Sequence, residues 1–149
     1  MTPWDIDWAW SLPLITMSVI VHVIGLVLIF RGAVKVMRRT TDRRRFVPMF
    51  IAVIGSAALL STLLHGLEAG FWAAAYRALG ALPDGKSAML YSLSAMTSYG
   101  HANVYLKDEW QLMGAIEALC GWLLFGLTTA CLFAMFREVW DMEEQVRHR

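Results

Sequence analysis

The apolar residues of this chain fall in long blocks separated by short polar segments. Three blocks, at residues 12–30, 47–64 and 118–136, contain no Asp, Glu, Lys or Arg. Each approaches the roughly 20 apolar residues that cross a bilayer as a helix. A fourth apolar run, residues 87–96, is too short to span and suits a re-entrant helix. The pattern predicts an all-α membrane protein with three transmembrane helices and one re-entrant helix.

Composition agrees with a membrane protein, because 58% of the residues are hydrophobic and seven are tryptophan. The formal net charge is only +1, so the overall balance says nothing about partners. We expect no nucleic-acid binding. The positive charge is instead concentrated between the first two spans. This loop contains the single acid Asp42 and the basic residues Arg31, Lys35, Arg38, Arg39, Arg43, Arg44 and Arg45.

The basic loop at residues 31–45 sets the predicted orientation. Cytoplasmic loops of membrane proteins are rich in Lys and Arg, so this loop is expected in the cytoplasm, where it would contact anionic lipid. The amino terminus is then outside and the carboxyl terminus cytoplasmic, in a plasma (inner) membrane. The tail, residues 138–149, mixes acids and bases at helical spacing and is expected to continue the last helix.

A polar stretch lies between the short helix and the third span. After the second span the chain passes through "HGLEAGFW" and a turn at residues 83–85, then through the short helix into "MTSYGHAN". Polar backbone at membrane depth is tolerated only where it is buried in protein or lines a water-filled space. The order of a span, a turn, a half-length helix, a polar segment and another span therefore indicates a pore.

This order and these residues resemble the bacterial two-helix potassium channel family. In that family a Thr precedes the filter core Thr-Val/Leu-Gly-Tyr-Gly-Asp, and "MTSYGHAN" falls on this pattern without gaps. "AMLYSLSAM" looks like the family's pore helix, and "EWQLMGAIEALCGWLLFGLTTACLFA" like its inner helix. The resemblance covers residues 47–137. The domains expected are an amino-terminal helix with the basic loop (1–46), a pore domain (47–137) and a cytoplasmic tail (138–149).

The resemblance implies a homotetrameric channel, because a potassium filter needs carbonyl rings with one contribution from each of four subunits. K⁺ would bind the backbone carbonyls of Ser98, Tyr99, Gly100 and His101. No other cofactor and no enzyme chemistry is expected. The predicted filter comprises Thr97, Ser98, Tyr99, Gly100, His101, Ala102 and Asn103.

Three filter positions depart from the family pattern. His101 replaces the tyrosine that braces the filter, and its ordinary pKa near 6.5 predicts conduction that depends on pH. Ala102 replaces the second glycine and would cost on the order of 1 kcal/mol if that position needs a positive φ. Asn103 removes an acid from the outer mouth. Selectivity for potassium over sodium is therefore expected to be relaxed.

The third span carries the predicted pore lining. Phe125, Thr129 and Phe133 recur every four residues and so share one helix face, which either lines the cavity below the filter or packs against other helices. Gly121 occupies the family's hinge position, where glycine permits either bending or close helix packing.

Ionisable residues inside the spans are usually paired or functional. The resemblance places Glu117 behind the filter as a brace, with a filter amide, a Ser or Thr hydroxyl, or His65 as its partner. His65 and Glu68 are three residues apart on one helix face, which favours a hydrogen-bonded pair in support of the filter over a metal site. His22 is expected to be a packed, hydrogen-bonded histidine.

Two alternatives to a conducting channel stay open. One is a haem-binding membrane electron carrier in which His22, His65 or His101 supplies the axial ligands. The other is a pore-fold protein that no longer conducts and instead senses pH or supports a partner.

Overall fold

The computed structural model describes residues 3–39, 43–99 and 104–147, and this part of the chain is almost entirely helical. A short 3₁₀ helix, Asp108–Trp110, precedes the last α-helix. The α-helices in the described residues are α1 (Pro3–Arg38), α2 (Arg43–Ala78), α3 (Gly85–Thr97) and α4 (Gln111–Arg147).

Three of these helices are long and apolar enough to cross a membrane: the segments Trp4–Arg38, Arg45–Ala78 and Asp108–Met142. Each contains one of the predicted spans, so the prediction of three membrane-spanning helices is confirmed at the level of length and composition. At 1.5 Å per residue, each segment is about 50 Å long, well beyond the roughly 30 Å hydrocarbon core. Each segment is therefore longer than a span requires, and α4 continues into the predicted tail as far as Arg147.

The short helix α3 has a defined start. Asp84 caps it from an extended backbone conformation, and its carboxylate accepts hydrogen bonds from the Ser87 amide at 2.9 Å and the Ser87 hydroxyl at 2.7 Å. These two hydrogen bonds lower the pKa of Asp84 from its ordinary value. The 13 residues of α3 are slightly more than the ten-residue run predicted, and they measure about 20 Å, less than a bilayer core.

Two compact units divide the described chain. The first combines Met1–His22 with His65–Phe125. Its core is formed around large side chains with no solvent exposure, among them Trp72, Tyr76 and Met113. All of α3 belongs to this unit.

The second unit combines Val23–Leu64 with Gly126–Arg149. Its core is smaller and includes Met37, Met135 and Val139. Gly25 lies against Leu64 here, since a Cβ added at Gly25 would meet Leu64 Cδ2 at 2.6 Å. The second unit is thus packed mainly through apolar side chains.

Candidate functional site: the end of the short helix and its supports

The predicted filter is described only in part. Gly100, His101, Ala102 and Asn103 lie outside the described residues. Thr97 is the last residue of α3, and its hydroxyl donates to the Leu93 carbonyl at 2.6 Å. Tyr99 follows with 81% of its surface exposed. The predicted filter therefore begins where α3 ends.

Ser98 ends α3 in a left-handed conformation, with φ 56°. The Ser98 amide donates to the Ala95 carbonyl at 3.2 Å, and the Tyr99 amide to the Ser94 carbonyl at 3.1 Å. These are the two bonds of a Schellman motif, which usually has glycine at the left-handed residue. A side chain there costs about 1 kcal/mol, so other contacts must hold this residue in place.

One such contact comes from α4. The Trp122 indole Nε1 donates to the Ser98 hydroxyl at 2.8 Å. A hydrogen bond of this kind contributes about 1 kcal/mol, similar to the cost of the left-handed backbone. Helix α4 thereby fixes the residue at which α3 ends and the polar segment begins.

Glu117 on α4 is fully buried and braces α3. The Tyr76 hydroxyl on α2 donates to Glu117 Oε2 at 2.7 Å, and the Ser92 hydroxyl on α3 bonds Glu117 Oε1. Of the three kinds of partner expected for Glu117, the structure shows the serine hydroxyl, together with a tyrosine that the sequence analysis did not consider. One carboxyl group thus joins three helices.

The hydrogen bonds of Ser92 indicate whether the Glu117 carboxyl group carries a proton. The Ser92 hydroxyl also lies 2.8 Å from the Ala69 carbonyl, but it has a single hydrogen. All the bonds are satisfied together when Ser92 donates to Ala69 and a neutral Glu117 donates to Ser92. A protonated carboxylic acid also avoids an uncompensated charge in a buried site.

Glycines on α4 allow close approach to α3. A Cβ at Gly121 would lie 2.5 Å from the Met96 carbonyl oxygen and 2.6 Å from Met96 Cα. A Cβ at Gly114 would lie 2.1 Å from the Tyr91 hydroxyl, a contact that the sequence analysis did not anticipate. A Cβ added at Gly126 would have no neighbouring atom within 4 Å. The structure therefore gives Gly121 a packing role, while its role as a hinge stays a prediction.

The predicted pore-lining residues are exposed in the single chain. Phe125 is 60% and Phe133 70% exposed, and Thr129 is also exposed. Their helix neighbours Leu124 and Thr128 are buried. The predicted face is thus the side of α4 that the chain's own packing leaves accessible.

Comparison of the chain with protein-family models, curated proteins and solved structures finds no match. The site must therefore be interpreted from its own residues.

A second buried polar cluster brings together three residues from α1 and α2. His22 Nδ1 lies 2.8 Å from Glu68 Oε1, and both side chains are fully buried. His65 Nδ1 lies 3.5 Å from Glu68 Oε2. The His65 ring also stacks on Phe125, with centroids 5.6 Å apart.

The three-residue spacing of His65 and Glu68 predicts their contact, whereas it does not connect His22 to them. The two segments are 46 residues apart along the chain, and no local pattern indicates the contact. The one available signal was an isolated histidine in a span, since such groups usually have a partner.

Proposed function

We propose that the chain is one subunit of a homotetrameric cation channel that conducts potassium with relaxed selectivity. The observation that carries this proposal is the attachment of α3. A helix too short to span is fixed to two long apolar helices through Glu117, and its end at Ser98 is held by Trp122. Rigid support of this kind is what a filter needs, because its carbonyls must stay at fixed positions to replace an ion's water shell.

The tetramer follows from the number of loops. Each chain contributes one polar segment, and a ring of carbonyls around an ion needs several. The exposed face with Phe125, Thr129 and Phe133 supports this assembly, since four copies would turn these side chains toward a shared cavity. Glu117, together with His65 and Glu68, would then lie behind the filter as its support.

The orientation is part of the proposal. The basic segment at residues 31–45, predicted as a loop, is largely helical, since α1 continues to Arg38 and α2 begins at Arg43. It would lie in the cytoplasm against anionic lipid, with the amino terminus outside a plasma (inner) membrane. The polar segment after Ser98 would then face the outer side. This is the side on which the filter of the resembled family lies.

The test is ion flux from proteoliposomes that contain purified, verified tetramer, with potassium and sodium gradients compared at pH 5.5 and 7.5. We expect flux of both ions, larger for potassium, and a change with pH that originates at His101. The double variant His101→Tyr with Ala102→Gly is expected to raise the potassium to sodium ratio and to remove the pH effect. Empty liposomes provide the background rate.

The outcomes separate the possibilities. Equal flux of potassium and sodium would support a pore but contradict potassium selectivity. No flux from the wild type or from the double variant would favour the non-conducting sensor. The haem alternative predicts visible absorbance in the purified protein. The ring centroids of His22 and His65 are only 5.0 Å apart, which places the two imidazoles in contact and leaves no room for a macrocycle between them.

A further inference from the structure

The cluster of His22, His65 and Glu68 offers the donor set of a metal site. One ligand atom from each residue lies within 4.8 Å of the other two. Two imidazole nitrogens and one carboxylate oxygen are the ligands of many zinc sites that keep a fourth position open. Imidazole also selects transition metals over Mg²⁺ and Ca²⁺, which prefer oxygen ligands.

The hydrogen bonding of the cluster points to a ligand as well. Glu68 Oε2 is buried and accepts no hydrogen bond from the described residues, and its contact with His65 Nδ1 is at ion-pair distance. Leaving a buried acceptor unsatisfied costs about 1–3 kcal/mol. A metal ion at the cluster would satisfy Glu68 Oε2.

We propose that His22, His65 and Glu68 bind one divalent transition-metal ion of the Zn²⁺ type. In a tetrahedral site with bonds of about 2.0–2.1 Å, ligand atoms are about 3.4 Å apart. The donors of the cluster approach this spacing already, so side-chain rotations suffice to close the site. Binding through Nδ1 would displace the hydrogen that His22 shares with Glu68 Oε1, and the neutral imidazole would then carry its hydrogen on Nε2.

The geometry also explains how an ion enters and what it joins. The side chain of His65 is 20% exposed, whereas those of His22 and Glu68 are fully buried, so the ion would reach the cluster past His65. His22 belongs to α1, and the other two ligands belong to α2. The ion would therefore fasten the first helix, which lies outside the channel resemblance, to the outer helix of the predicted pore. This inference does not depend on conduction.

The test uses purified full-length protein, free of any affinity tag, after removal of metal with a chelator. Co²⁺ is titrated as a visible probe and then displaced with Zn²⁺, and thermal unfolding is followed with and without Zn²⁺. We expect one ion per chain, a visible spectrum typical of tetrahedral Co²⁺, and a higher unfolding temperature with Zn²⁺. His65→Gln should weaken Zn²⁺ binding by at least about 100-fold and abolish the thermal shift.

The controls keep the result decisive. His148→Gln removes a histidine that is not one of the three proposed ligands and should bind Zn²⁺ as the wild type does. X-ray absorption of the zinc-loaded wild type needs no variant and should show nitrogen and oxygen ligands at about 2.0–2.2 Å. Sulfur ligands near 2.3 Å would assign the ion to the cysteines and overturn the proposal, as would equal binding by wild type and His65→Gln, or no binding at all.

Discussion

The contact between Gly121 and Met96 gives the sharpest test of how α4 supports the predicted filter. In Gly121→Ala the new Cβ would lie 2.5 Å from the Met96 carbonyl oxygen, about 0.9 Å short of the 3.4 Å at which ordinary contact begins. The opposing atoms are backbone, so no rotamer change relieves the overlap. The end of α3 must move instead, and such overpacking typically costs about 1–3 kcal/mol.

Gly126→Ala on the same helix is the matched control. Alanine is favoured over glycine inside a helix by about 1 kcal/mol, and this gain applies to both variants. Nothing lies within 4 Å of a Cβ at position 126, so Gly126→Ala keeps the whole gain. The two variants should therefore differ in unfolding free energy by about 1–3 kcal/mol, with Gly121→Ala the less stable.

Thermal unfolding in detergent measures this difference, at roughly 2–4 °C per kcal/mol for a chain of this size. Potassium flux provides a second measurement, since Met96 directly precedes the predicted filter. We expect reduced flux in Gly121→Ala and wild-type flux in Gly126→Ala. If the two variants are equally stable, α4 does not hold α3 through this backbone contact and the reasoning is refuted.

Two further predictions concern the ends and supports of α3. The unfolding free energy of Glu117→Gln should lie within about 1 kcal/mol of the wild-type value, because an amide reproduces the donor and acceptor of a neutral carboxylic acid. Glu117→Ala instead leaves the buried Tyr76 hydroxyl without its acceptor, at a cost of about 1–3 kcal/mol, while Ser92 keeps its bond to the Ala69 carbonyl. Glu109→Ala, at an exposed position, is the control. Equal losses of unfolding free energy in Glu117→Gln and Glu117→Ala would show that Glu117 is ionised. The pKa of Asp84 is 3.8 in the unfolded chain and lower in the folded chain, so on acidification the unfolded state takes up the proton first. The wild type should therefore lose stability as the pH falls from 3.8 through the folded-state pKa. Asp84→Asn retains the cap but has no carboxyl group that titrates, so its unfolding free energy should fall less than that of the wild type between pH 6 and 3. An equal fall in both proteins would contradict the role of the Ser87 hydrogen bonds.

The sequence predicted the elements well because their signals are local. Long apolar blocks without charge specify spanning helices, and the Pro-Asp-Gly turn followed by a short apolar run specifies a helix of limited length. The structure places α3 at Gly85–Thr97, close to the predicted residues 87–96. These features depend on composition and capping within a few residues.

The contacts of the site were less predictable because they depend on helix packing. Gly121 and Gly126 look alike in the sequence, yet the first meets the Met96 backbone and the second meets nothing. No sequence pattern connects Tyr76 to a partner, yet it is fully buried and bonds Glu117, 41 residues away. Helical periodicity shows which residues share a face, but it does not show which residue of another helix lies opposite.

Buried polar groups are concentrated in the first compact unit. Eight of the ten buried polar or charged residues in the described chain belong to that unit, including His22, Glu68 and Glu117. The other two are Ser61 and Thr128, and Ser61 merely bonds a carbonyl one turn earlier on its own helix at 2.9 Å. A membrane helix needs no polar residue to pack, and each unpaired one is costly. The second unit follows that rule, whereas the first combines the predicted filter support with a cluster suited to a metal ion, so substitutions that affect metal binding or the support of α3 should concentrate there.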